Sequence, residues 1–253
     1  MTTNTYQLGL VSISFRQHSP KEIIQAVKDA GLTCIEWGSD VHAPPKDIAK
    51  LQEIANLQAM YGITCSSYGT YFRLGHTPIE ELPAYIQAAK ILGTRILRLW
   101  CGTQNGQDMT PEAKAHLWEQ CRQAAHIAQE NDVILCMECH HGTFTQYPQD
   151  AVDLMQNLNS PHFQMYWQPF QWLDTQGSFA VATAVAPYTH HVHVFNWAGD
   201  NRYPLADGLD AWRTYLTVLP APRALLLEFM PDDKLTSLRD EAYALQCLVN
   251  EVR

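Results

Sequence analysis

The chain has 253 residues, 46% hydrophobic and 17% charged, a balance that excludes a disordered protein and supplies enough length for one sizeable core. Lys plus Arg is 17 against 26 for Asp plus Glu, a formal charge of −9. With no Lys/Arg stripe to reverse it, that field repels phosphate backbones and disfavours nucleic acid as a partner.

No apolar run approaches the ~20 residues that span a bilayer, so no membrane partner is expected. Met1 to Gln7 lacks the basic-then-apolar pattern of a secretion signal. Seven cysteines, an odd number, fit a reducing compartment better than a disulfide framework. The expected location is cytoplasmic, and the sequence leaves homo-oligomerisation open.

A strand-then-helix alternation recurs about every 30 residues, the mark of repeated βα units. The first strand is predicted over Leu8 to Ile13, with Ser19-Pro20 opening a helix to Ala30. Thr33 to Trp37 is the second strand and Pro45 to Tyr61 its helix, stopped by Gly62. Thr64 to Tyr68 is the third strand, and a loop through Gly75 and Pro78 leads to a helix closed by Gly93.

Arg95 to Trp100 is the fourth strand, and Thr110-Pro111-Glu112 opens a long helix ending near Asn131. Then come strand Val133 to Cys139, helix Pro148 to Leu158, strand Phe163 to Gln168 and helix Thr175 to Ala186. Strand His191 to Phe195, helix Leu209 to Leu219, strand Ala224 to Phe229 and helix Leu235 to Val252 complete the chain. Eight units without an antiparallel hairpin signal predict an α/β fold, a single (β/α)8 TIM barrel covering residues 1–253, with its active site at the C-terminal ends of the strands.

Four strand ends carry polar groups in apolar settings: Glu138, Gln168, His193 and Glu228. A carboxylate in an apolar strand is costly to bury unless something pairs with it. Side chains alternate along a strand. Cys136, Glu138 and His140 therefore share a face, as do Tyr166 and Gln168, His191 and His193, and Leu226 and Glu228. If those faces line the barrel, Glu138, Gln168, His193 and Glu228 surround one point at its top. Oxygen ligands with one imidazole suit Mn²⁺, then Mg²⁺, Co²⁺ or Zn²⁺. The same alternation sends Cys136 and Cys139 to opposite faces, so their C-x-x-C spacing is not a metal or disulfide motif. Asp174 is another possible oxygen donor, although its position reads as a helix N-cap.

Glu138-Cys139-His140, His191-Val192-His193 and Leu227-Glu228-Phe229 resemble the xylose-isomerase-like TIM-barrel superfamily. So do Ile35-Glu36-Trp37-Gly38 and the stretch from Arg202 through Leu205-Ala206-Asp207-Gly208. The resemblance spans essentially the whole chain. It implies a metal-dependent isomerase or epimerase, relatives being hydroxypyruvate isomerase and ketose 3-epimerases.

By position, the family's metal-binding glutamates fall on Glu138 and Glu228 and its histidine on His193. Its usual strand-six aspartate is replaced by Gln168, which takes three carboxylates to two and implies weaker metal binding. The implied chemistry moves a proton beside a carbonyl through an enediolate, with Glu138 and Glu228 as the acid/base pair.

Expected substrate contacts are Arg202, Trp100, His140, Glu36, Trp197 and His42. The substrate class is a small sugar or hydroxycarbonyl compound, neutral rather than phosphorylated because no phosphate-cradling glycine motif is present. Arg98, inside a strand, reads as a structural ion pair. Two alternatives remain: a metal-dependent lyase or dehydratase, with His140 or His42 as the acid, and a non-catalytic sugar-binding barrel. An endonuclease would need more metal ligands and a basic groove.

Overall fold

The computed structural model describes residues 5–252; part of the N-terminal stretch discussed above, residues 1–4, lies outside it. Eight parallel strands close into a barrel: β1 Gln7–Val11, β2 Cys34–Gly38, β3 Thr64–Leu74, β4 Ile96–Cys101, β5 Ile134–Glu138, β6 Phe163–Trp167, β7 Thr189–Val194 and β8 Ala224–Leu227. The seam is the pairing of β1 with β8, Gln7 opposite Ala224 and Leu10 opposite Leu227. The predicted (β/α)8 barrel is thus the observed one.

Helices follow the strands in order: α1 Pro20–Asp29, α2 Ile48–Tyr61, α3 Leu82–Leu92, α4 Pro111–Asn131, α5 Pro148–Leu158, α6 Thr175–Val185, α7 Leu209–Leu216 and α8 Leu238–Glu251. Their ends follow local chemistry. Ser19 and Glu22 form a reciprocal capping box at α1, with Pro20 at its first position. Gly62 and Gly93 stop α2 and α3 in the left-handed conformation, with φ of 70° and 85°.

Alternation sorts the strand side chains into two layers. Met137, Met165, Val192, Val194, Leu225 and Leu227 face outward to helix residues such as Ile23, Ile54, Ile86, Leu154 and Leu245. Burying each such side chain contributes about 1.5–3 kcal/mol. Val11, Cys34, Cys136, Tyr166, Ala224 and Leu226 fill the interior. Gly9 is required there, since a Cβ at this position would lie 2.4 Å from Cys34 Sγ and 2.8 Å from Leu226 Cδ2. Cys136 and Cys139 separate into the inner and outer layers as buried free thiols.

Several boundaries differ from those expected. β1 ends at Val11 in a 3-10 turn, Ser12–Phe15, and β8 ends at Leu227, before Glu228. β7 begins at Thr189, and α7 stops at Leu216. β3 runs past Tyr68 to Leu74, with its register to β4 shifting between Gly69 and Arg73. An antiparallel ribbon, Trp197–Ala198 with Asn201–Arg202, follows β7 where no hairpin was expected. Two-residue strands are too short to show periodicity. No helix among the described residues is long and apolar enough to cross a membrane.

Candidate functional site

Glu138 closes β5, His193 is the penultimate residue of β7, and Gln168 and Glu228 directly follow β6 and β8. The Glu228 amide continues the sheet by donating to the Val194 carbonyl at 3.0 Å. Phe229 then turns left-handed (φ 53°), and its amide donates to Ser14 Oγ at 2.8 Å. This turn sets Glu228 at the rim with its carboxylate inward.

The four side chains converge on one ring nitrogen. His193 Nδ1 lies 3.2 Å from Gln168 Oε1, 3.4 Å from Glu138 Oε1 and 3.5 Å from Glu228 Oε2. One ligand atom each from Glu138, His193 and Glu228 falls within a 4.8 Å span. Donor separations of ~3.0–3.5 Å are what ~2.1 Å bonds produce in octahedral or tetrahedral shells. Two carboxylates, an amide oxygen and an imidazole are a donor set that suits a divalent cation, and the oxygen distances from His193 Nδ1 match such a shell. Asp174 is not part of this set: it caps α6, accepting from the Gly177 amide at 2.7 Å.

A buried ionic layer supports this cluster from below. Arg98 donates through Nε to Glu36 Oε1 at 3.0 Å and through Nη1 to Glu138 Oε2 at 2.7 Å. Trp100 Nε1 adds a 2.5 Å bond to the same Glu138 oxygen. Ser67 Oγ donates to Glu36 Oε2 at 2.8 Å and meets Tyr166 Oη at 2.9 Å. Gly69 leaves room for the pair, because a Cβ there would lie 2.5 Å from Glu36 Oε1. Arg98 is therefore a structural ion pair, as read from the sequence, and through Glu138 it reaches the convergent cluster as well.

Charges in this dry layer set one another's protonation. Burial pushes the Glu138 carboxyl up, but Arg98 and then His193 outweigh it and hold the group well below the usual range. Glu228 goes the other way: burial, with a contribution from Glu138, outweighs the pull of His193 and raises it to about 7. Burial works against the charged form of His193, yet Glu228 and Glu36 overcome it and lift the imidazole to about 10.

Above the cluster opens a cavity of about 210 Å³. It is lined by Glu138, Gln168 and Glu228, by Trp100, His140 and Trp197 among the expected contacts, and by Tyr71, Gln171, Phe195 and Phe229, which sequence reasoning missed. Tyr71 lies on the extension of β3, where Thr70-Tyr71-Phe72-Arg73-Leu74 was itself a usable strand signal. Trp197 and Phe229 stack with centroids 5.4 Å apart to form one wall.

Three expected substrate contacts lie elsewhere. Glu36 sits mid-strand, has no exposed surface and is consumed by Arg98 and Ser67. His42 is 1% exposed, its ring nitrogens 3.1 Å from Ser12 Oγ and the His18 carbonyl. Arg202 braces the wall from outside the cavity lining, stacked on Trp197 and Phe229 at 4.9 and 4.8 Å and paired with Asp233.

A family model described as a xylose isomerase-like TIM barrel matches residues 24–234. No curated protein matches the chain. Among solved structures, a probable 3-DHS dehydratase from Bacillus anthracis superposes with a TM-score of 0.80 at 16% identity, covering 96% of this chain and 99% of that one. A D-psicose 3-epimerase from Clostridium cellulolyticum H10, solved with D-tagatose, gives 0.71 at 12% identity, with coverage of 98% and 99%. A xylose isomerase-like TIM barrel protein from Mycobacterium smegmatis in complex with magnesium gives 0.71 at 15%, with both chains fully covered. Identities this low establish a common fold.

Proposed function

The chain belongs to the xylose isomerase-like TIM barrel family, and on that footing we propose that it is a divalent-metal-dependent isomerase or epimerase of a monosaccharide or related hydroxycarbonyl compound. The observation that carries this reading is the meeting of Glu138, His193 and Glu228 within 4.8 Å beneath an open cavity. Glu138, Gln168, His193 and Glu228 would hold the ion, with Mn²⁺ or Mg²⁺ favoured by the oxygen-rich set. When bound, the ion supplies a Lewis acid for a carbonyl and the charge that develops beside it.

The residues divide the remaining work. Glu138 Oε2 is occupied by Arg98 and Trp100, which fixes the carboxylate and leaves Oε1 facing the centre. In the metal-free protein Glu228 is raised to about 7, which makes it the carboxylate of the cluster that most readily exchanges a proton near neutral pH. One glutamate, ionised, removes the proton on the carbon next to the carbonyl. The other, protonated beforehand, gives its own proton to the neighbouring carbon or the opposite face, and exchange with solvent resets the pair. The rings of Trp197, Phe195 and Phe229 offer apolar surface to a sugar's C–H face and limit water. His140 and Gln171 present imidazole and amide groups to its hydroxyls, while the Trp100 N–H stays on Glu138.

A second reading, a metal-dependent dehydratase, draws on His140. It lines the cavity and leans on Trp100, with centroids 5.2 Å apart, so it is placed to protonate a departing hydroxyl. A neighbour in fold is described as a probable dehydratase.

Metal analysis of the purified protein, followed by an aldose and ketose panel in deuterated water, tests the proposal. The expected result is a bound divalent ion and metal-dependent deuterium uptake next to the carbonyl. Loss of water with a new conjugated carbonyl absorbance would favour the second reading. Absence of both metal and exchange across the panel would overturn both.

A further inference from the structure

Glu36, unlike Glu138 and Glu228, does not line the cavity, and it sits behind His193. Its Oε1 lies 3.4 Å from His193 Nε2, while the other ring nitrogen, Nδ1, is ringed by Gln168, Glu138 and Glu228. Nε2 is fully buried and has no hydrogen-bond partner of good geometry. The two faces of the imidazole therefore meet different surroundings, three candidate ligand oxygens on one side and a single fixed carboxylate on the other.

We propose that Glu36 is a positioning residue that takes the Nε2–H of His193, committing Nδ1 to the metal and locking the ring plane. A ligating histidine carries one proton, and whichever nitrogen donates it leaves the other free to ligate. Glu36 is suited to this task because its own freedom is gone. Arg98 holds Oε1, Ser67 holds Oε2, and Gly69 lets the carboxylate pack against backbone. Since the same guanidinium also grips Glu138, it ties one proposed ligand and the carboxylate behind another to a single rigid strut.

This inference rests on the metal-centre reading above, and the experiment separates the two. The wild-type protein is loaded with Zn²⁺, and long-range ¹H–¹⁵N correlation reads the His193 ring, assigned by the signal lost in His193→Gln. A metal-bound Nδ1 with a protonated Nε2 is expected; metal on Nε2 overturns the proposal while leaving the centre intact. In parallel, Glu36→Gln keeps the shape but removes the charge and should weaken Zn²⁺ affinity about 10- to 100-fold. An affinity within twofold of wild type in a folded Glu36→Gln also overturns it. If that variant does not fold, the wild-type spectrum still decides. Failure of the wild type to take up Zn²⁺ or Mn²⁺ at all sinks the metal-centre reading and this inference together.

Discussion

Arg98 and Glu138 meet inside the barrel at 2.7 Å, with side chains 2% and 4% exposed, and Glu138 turns its other oxygen toward the proposed metal position. One buried ion pair thus ties the packing of the barrel to the proposed metal centre. Removing one member of a buried pair leaves the other charge uncompensated. Arg98→Met strands both Glu36 and Glu138 and should destabilise the metal-free protein by about 3–5 kcal/mol. Urea unfolding at pH 7 measures it, and a loss under ~1 kcal/mol would show that the pair contributes little.

Glu228→Gln removes the group whose protonation lies nearest neutrality but preserves its shape. Turnover and solvent deuterium uptake should fall by at least ~10²- to 10⁴-fold, the usual share of a general acid–base group. Metal analysis should still find some ion on Glu138, Gln168 and His193. Full activity in this variant would reject the paired-glutamate mechanism.

Gln168→Asp returns a negative charge to the ligand set at a position 3.2 Å from His193 Nδ1. Mn²⁺ affinity should tighten by roughly tenfold or more, a step of ~1.4 kcal/mol. An unchanged affinity in calorimetric titration would show that residue 168 does not ligate.

Metal uptake should release protons. His193, raised from 6.5 to about 10 in the metal-free protein, must shed its proton to ligate. Between about pH 7 and 10, affinity should therefore rise close to tenfold per pH unit. Below the Glu228 value of about 7 the dependence should steepen. The stability contribution of His193 runs the other way: it is fully present below 6.5 in the metal-free protein and fades as pH rises through about 10. Titrations in buffers of different ionisation enthalpy count the protons directly. A pH-independent affinity would contradict a charged His193.

Gly69→Ala places a methyl group 2.5 Å from Glu36 Oε1 and 2.9 Å from Arg98 Nη2. With strand backbone on one side and a buried ion pair on the other, the overlap cannot relax cheaply. A loss of about 1–3 kcal/mol in thermal or urea unfolding is expected, whereas wild-type stability would show the pair to be loosely held.

The barrel was legible because its signals are local. Apolar β-runs such as Leu225-Leu226-Leu227 and helix stops such as Gly62 and Gly93 need no partner to be read. The four convergent side chains were legible because alternation fixes which residues share a face. Depth was not. Glu36 and Glu138 both point inward, yet Glu36 sits mid-strand beneath the centre, and only the stagger between strands decides that. Arg202 and Trp197 were read as separate contacts because their stacking depends on a four-residue turn with no repeating pattern. His42 was misplaced for a similar reason, since its partners Ser12 and His18 come from the neighbouring βα unit.

Two demands collide at Phe229. Its main chain holds a φ of 53°, where glycine or asparagine rests most easily, while its ring walls the cavity beside Trp197. Keeping an aromatic in that conformation costs of order 1–3 kcal/mol. The simplest way to relieve the strain, exchange for glycine, would also strip a panel from the chamber. Stability and the shape of the chamber therefore pull this position in opposite directions.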